Sequence, residues 1–195
     1  MGVGHADDDW KVWWDARVSA LEQLFGPADD MVGHAVVPLD FGVDIGGAAD
    51  VIYFKHHLPG VLTVTCELIG RDDQVKSALG NYELAICSRT DDSWGGNLIS
   101  RLANYTLETP LNPGETMDIG SAVPDGANVV ALLFQDYGRI KVREKDAGVL
   151  LCIGITSDEL ALCREGESDQ VVGALKESGV YPFTDIYRSS VLIDS

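Results

Sequence analysis

Basic residues are scarce in this sequence: 14 Lys and Arg stand against 31 Asp and Glu, a net charge of −17. A summed field of that sign repels phosphates, so an unaided grip on nucleic acid or on an anionic membrane surface is excluded, and a basic protein partner is attracted instead. Long apolar runs are missing too. The longest, such as 149–155, have the length of a strand, far below the roughly 20 residues that a membrane-spanning helix needs. Residues 1–9 are acidic and carry neither the basic region nor the apolar stretch of a signal peptide, so the chain reads as cytoplasmic. Cysteine is sparse: Cys66, Cys87, Cys152 and Cys163 are irregularly spaced, and three of them fall inside apolar runs. They read as reduced core residues rather than disulfides or metal ligands. His56 and His57 are adjacent and so point to opposite faces of an extended chain, with His5 and His34 far off in sequence. No metal and no cofactor are expected.

What is present is a globular composition. The 195 residues are 46% hydrophobic, enough to bury a core, and no repeat, linker or shift in composition divides them, so one domain over 1–195 is expected. Trp10, Trp13, Trp14, Val18, Leu21, Leu24 and Phe25 recur at helical spacing, Gly26-Pro27 ends that helix, and Asp7, Asp8 and Asp9 sit where they can cap its start. Strand-like runs follow at 35–41, 50–55, 61–69 and 82–88. Trp94, Leu98, Leu102 and Tyr105 return to helical spacing, with Asp91, Asp92 and Ser93 as candidate N-caps, Pro110 as a closing signal and Pro113-Gly114 as a turn. Further strands are predicted at 128–135, 138–143 and 149–155, the last continuously apolar as befits a central strand. Thr156-Ser157-Asp158-Glu159 fits a capping box, Gly166 stops that short helix, and a last helix runs from Ser168 to a stop at Gly179. The order suits an α+β domain whose sheet is mainly antiparallel or mixed, rather than a doubly wound fold.

The search for catalytic motifs finds no nucleophile elbow, Walker loop, paired-His zinc helix or Ser-x-x-Lys. The glycine-rich stretches at 42–47 and 95–96 lack phosphate-binding spacing. The carboxylates are too many to pair by sequence and read as solvated faces and caps. A Cys nucleophile with His56 or His57 as base is conceivable chemistry, but nothing in the sequence brings the two together. Arg139, Lys141, Arg143 and Lys145 alternate with Ile140, Val142 and Glu144, so on one strand they would share a face. Such a stripe either meets a partner's acids or balances carboxylates close by.

Several segments, taken in order, resemble the Suppressor of fused (SUFU) domain. They are Leu24 to Gly26, Tyr82-Glu83-Leu84, Trp94 with Leu98-Ile99 and Leu102 to Tyr105, Pro113 to Thr116, Gly154 to Thr156 with Asp158 to Leu160, the Gly166 stop, and Thr184 to Ile186 with Arg188. The resemblance implies a mixed α/β SUFU-like fold and protein binding without catalysis. In it Tyr82, Glu83, Trp94, Asp185 and Arg188 belong to the structural signature, and Asp185 and Arg188 are expected to form an ion pair that fastens the C-terminus. Eukaryotic members sequester a zinc-finger transcription factor of the Hedgehog pathway. Bacterial members of this kind resemble immunity proteins of polymorphic toxin systems. This chain ends where the eukaryotic protein would continue into a second domain, so it is expected to lack half of the eukaryotic peptide clamp.

From that clamp Tyr105 and Glu115 carry over as the pair that would hold a peptide histidine, with Glu115 replacing the family's aspartate. On their own pattern, Tyr105 continues the apolar face of its helix and Glu115 sits in an exposed turn. With Asp91 and Asp92 they are the candidate partner-binding residues. The leading expectation is an acidic immunity protein that meets a basic toxin domain. The alternatives are a module that binds a short peptide by strand addition and an enzyme with an unrecognised carboxylate or Cys site.

Overall fold

A computed structural model describes residues 4–41, 45–90 and 93–192. Among them are helices α1 (Gly4–Phe25), α2 (Trp94–Tyr105), α3 (Ser157–Arg164) and α4 (Ser168–Glu177). The strands are β1 (Val32–Gly33), β2 (Val51–Phe54), β3 (Val61–Thr65), β4 (Asn81–Ser88), β5 (Thr116–Asp118), β6 (Val129–Val142) and β7 (Lys145–Thr156). They form one seven-stranded sheet in the order β1-β2-β3-β4-β7-β6-β5, antiparallel except at the parallel β4–β7 pair. The fold is thus the expected mixed α/β arrangement.

Strand alternation divides the core between the two faces of the sheet. On one face Tyr82, Leu84 and Ile86 of β4, with Leu150 and Cys152 of β7, pack against Ile99 and Ala103 of α2. On the other, Ala85, Cys87, Leu151 and Ile153 meet Leu21 of α1, Leu160 of α3 and Val171 and Leu175 of α4. With helices on both faces, β4 and β7 are the buried centre, as the unbroken apolar run at 149–155 predicts.

Local signals placed the helices well. The capping box is complete, with Thr156 N donating to Glu159 Oε2 at 2.9 Å. Gly166 leaves α3 at φ 94°, a conformation open to glycine at no steric cost. α2 starts at Trp94 as expected, but Ser93 at its N-cap position makes no side-chain cap hydrogen bond, and Thr106 closes the helix by donating its hydroxyl to Ala103 O at 2.7 Å, well before Pro110. α1 starts earlier than expected, at Gly4, so Asp7, Asp8 and Asp9 lie at positions within the helix rather than ahead of its first residue. Trp10 is 47% exposed, and the buried stripe starts only beyond it.

Three strand expectations are corrected. Residues 35–41 are not a strand: Ala35 N donates to Asp50 Oδ1 at 2.9 Å, and Leu39–Phe41 is a 3-10 turn. The run at 61–69 pairs only as far as Thr65. The runs at 128–135 and 138–143 are one strand, β6, whose register against β7 slips between Asp136 and Gly138. That bulge accommodates α1, since a Cβ at Gly138 would come within 2.6 Å of Leu24.

The hairpin turn at Arg143, with φ 56°, breaks up the basic stripe. Arg139 pairs with Asp136 at 2.9 Å, Lys141 with Glu144 at 3.5 Å and Lys145 with Asp72 at 3.4 Å, while Arg143 lies over the Trp13 ring. The stripe balances the chain's own carboxylates.

Candidate protein-binding groove

The loop after α2 is tied to the sheet from below. Tyr82 is fully buried on the α2 side of β4, and its hydroxyl accepts a hydrogen bond from Leu111 N at 2.9 Å. Burial pushes that phenol up to about 12, so it stays protonated. The next turn is held by Glu115, whose carboxylate accepts from Asn112 N at 2.9 Å and from Asn112 Nδ2 at 3.1 Å. Gly114 N and Glu115 O then bond to Phe134, which starts β5 alongside β6. Tyr105 ends α2 and is 41% exposed, so it is not a core residue.

Tyr105 and Glu115 line the same open groove of about 520 Å³, whose walls include Leu111, Met117, Phe134 and Cys163. Each Glu115 oxygen accepts one hydrogen bond within the turn and keeps a lone pair for an incoming donor. A phenol and a carboxylate above an apolar floor suit a ligand with a hydrogen-bond donor or positive charge. Asp91 and Asp92 lie outside the described residues.

Among the described residues no group of three or more His, Cys, Asp or Glu is arranged to hold a metal ion. All four cysteines are free and buried. Burial raises every one of these thiols, Cys87 to about 12, so none is a thiolate at neutral pH. The fold does bring a histidine toward a cysteine. His57 Nε2 is 3.2 Å from the Tyr137 hydroxyl, which also receives the Cys87 thiol at 3.9 Å. The thiol at the end of that line is sealed from solvent, and burial lowers the His57 pKa as well.

The family model described as Suppressor of fused protein (SUFU) matches residues 61–189. The chain belongs to the SUFU family. Its fold is similar to a SUFU homologue from Neisseria gonorrhoeae at 17% identity and TM-score 0.66, covering 94% of this chain and 98% of that one. It is also similar to a chain of the Sufu-Fu complex at 13% identity and TM-score 0.70, covering 92% of each. Drosophila Suppressor of Fused matches at 14% identity and TM-score 0.60, over 80% of this chain and 46% of its own length. No curated protein matches by sequence. These likenesses establish the fold.

The other residues of the expected signature have partners within the fold. Glu83, fully buried on the α1 side of β4, accepts from Thr65 Oγ1 at 2.6 Å, Leu68 N at 2.9 Å and Ile69 N at 2.8 Å. Burial pushes its carboxyl up to about 7, against the pull of the Arg17 charge and of those hydrogen bonds. Trp94 donates its indole N–H to Ala122 O at 3.0 Å.

Arg188 is fastened, but not by Asp185. Its two terminal nitrogens donate to Glu159 at 2.7 and 2.5 Å, and one of them also donates to Gly154 O at 2.9 Å. Asp185 instead accepts from Tyr187 N at 3.0 Å. Glu159 was legible only as a helix cap, because its partner lies 29 residues on and no local spacing links the two.

Proposed function

We propose that this SUFU domain is a non-catalytic, cytoplasmic immunity protein that binds and neutralises a basic toxin domain. The charge distribution carries this reading. The chain's surplus of acids is −17, and Lys11, Lys55, Arg71, Arg139, Lys141, Lys145 and Arg188 are each paired with one of its own carboxylates. The remaining acids therefore dominate the outward field, which accelerates association with a basic partner and orients it. Affinity purification of the tagged protein from its host, at low and then moderate salt, tests the reading. One basic protein with a toxin-like domain, released by salt, is expected. Charge reversals at Asp30, Glu108 and Asp118 should weaken its binding, and unchanged affinity across all of them would overturn the proposal.

A second reading has its own observation. β5 is a three-residue strand at the end of the sheet order, and it starts beside the Tyr105 and Glu115 groove. An extended peptide could add to that edge with a donor side chain in the groove. Under this reading Glu115→Gln weakens partner binding more than does reversal of Asp30, which precedes β1 at the opposite end of the sheet order.

A further inference from the structure

Arg71, Arg139 and Arg188 each sit on a carboxylate, but Arg101 of α2 has no hydrogen bond or ion pair from its side chain among the described residues. The side-chain amide of Asn97 has no such partner either. Residues four apart share one face of a helix, so the guanidinium and the amide stand side by side, and both side chains are exposed. They border a hollow of about 240 Å³ between α2 and the loop that leaves β1, with His34 and Val51 also in its lining. Among the described residues no carboxylate lines it, and its titratable groups are His34, Tyr53 and Arg101.

The walls are held by bonds that leave these groups unused. Ser100 donates its hydroxyl to Ala49 O at 2.6 Å and Ala49 N donates to Ser100 O at 2.9 Å, so α2 is clasped to the chain entering β2. Ala48 N donates to Val37 O at 3.0 Å and draws the loop closed. His34 Nδ1 is 2.7 Å from Asp50 Oδ2, and because a carboxylate only accepts, this nitrogen is the donor. That leaves His34 Nε2, which has no partner among the described residues. Asp50 is outside the lining, with its other oxygen accepting from Ala35 N at 2.9 Å. Arg101 is therefore the one fixed charge that the hollow presents.

We propose that this hollow binds a carboxylate group on a short apolar stem, carried by an acidic side chain of a protein or by a small free acid. The Arg101 guanidinium and the Asn97 amide donate to the carboxylate, His34 adds a donor at Nε2 when its ring is protonated, and Val51 meets the stem. The net charge of −17 opposes an anion at long range. That field is screened over about 8 Å at physiological salt, whereas the guanidinium acts at contact. A basic spot within an acidic surface accepts an acidic group at that position alone, which gives specificity and register. The inference goes beyond the proposed function and does not depend on it.

The test is a ¹⁵N NMR titration of the full chain, in low-chloride buffer, with millimolar N-acetyl-glutamate methylamide and butyrate, and with N-acetyl-glutamine methylamide as the neutral isostere. Saturable shifts of the Arg101 amide and of both Asn97 amides are expected with the carboxylates and not with the glutamine probe. Arg101 is exposed and its side chain has no partner in the fold, so Arg101→Gln should keep the parent spectrum elsewhere and weaken binding about tenfold. Arg164→Gln removes an equal charge from α3, which packs on the opposite face of the sheet from α2, and should leave binding unchanged. Absence of saturable shifts at Asn97 and Arg101, equal binding of the glutamine probe, undiminished binding by Arg101→Gln, or equal weakening by Arg164→Gln would each overturn the proposal. Binding of the glutamate probe alone assigns the site to an acidic side chain, binding of butyrate alone assigns it to a free acid, and binding of both makes the carboxylate the sole determinant.

Discussion

Glu83 and Glu159 are both enclosed completely, yet their chemistry is opposite. Glu83 sits mid-strand on β4 and is met by two backbone N–H groups and a hydroxyl, with the Arg17 guanidinium turned to the carbonyls of Ile69 and Cys66 instead. Burial wins there, and the carboxyl rises to about 7. Glu159 sits in the first turn of α3, where the helix dipole favours negative charge, and it receives both ends of the Arg188 fork as well as Thr156 N and Val191 N. Burial alone would raise this carboxyl too, but the Arg188 hydrogen bonds outweigh it and hold it below its ordinary value. Three neutral hydrogen bonds do not offset the loss of water around a carboxylate, whereas a bidentate guanidinium does.

Breaking the better-paired site should have the largest effect. Arg188→Met leaves Glu159 buried with only backbone donors and removes the tie that holds the C-terminal segment to α3. A loss of about 3–5 kcal/mol in urea unfolding is expected. Adding Glu159→Gln to that variant should restore part of the loss, because the orphaned charge goes with it. A buried pair need not be worth much in net terms, and Arg188 Nε has no hydrogen-bond partner among the described residues. If Arg188→Met unfolds no more easily than the parent, the pair is not what fastens the segment.

Glu83 should give a smaller effect with the opposite dependence on pH. Its folded pKa lies above the ordinary 4.5, so between about 4.5 and about 7 the folded state holds a proton that the unfolded state has released. Its contribution to stability is complete below about 4.5 and is lost as pH rises towards 7, a decline of about 3 kcal/mol. Glu159 acts in reverse, because its contribution is present above 4.5 and is lost as pH falls through its lowered pKa. In the Glu83→Gln variant the decline between pH 4.5 and 7 should flatten, since the amide is neutral throughout and Thr65 can turn its hydroxyl to Leu84 O. A decline of the same slope in the variant would locate the titration elsewhere.

The same division between local and distant partners explains what the sequence revealed. α2 and the capping box were legible because their signals, an apolar period and Thr156 with Glu159 three residues on, lie within the element itself. Residues 35–41 look like a strand by composition, but their backbone groups go to Asp50 and to a turn, so Val36 is left fully exposed. β6 looks like two strands because Gln135 and Asp136 interrupt its apolar pattern at the bulge that seats Leu24. β1 and β5 are too short to show a period. Tyr105 and Glu115 came from family resemblance alone, and only the fold places them along one groove. Arg188 stands out in the sequence, but the nearby carboxylate that spacing offers, Asp185, is not its partner, because the fold brings Glu159 to it from 29 residues away.

The weakest expected effect sets the scale for the other two. Lys11 and Asp15 approach to 2.7 Å on the outer face of α1, as close as one arm of the Arg188–Glu159 pair, but their side chains are 69% and 60% exposed. Water screens the attraction, and two long side chains lose freedom to make it, so Asp15→Asn should shift stability by less than about 0.5 kcal/mol at any pH above 5. The shift should shrink further at 1 M salt, where the screening length falls to about 3 Å. If Asp15→Asn instead costs as much as Glu83→Gln at the same pH, distance rather than enclosure would govern carboxylate energetics in this domain, and the contrast between Glu83 and Glu159 would need another cause.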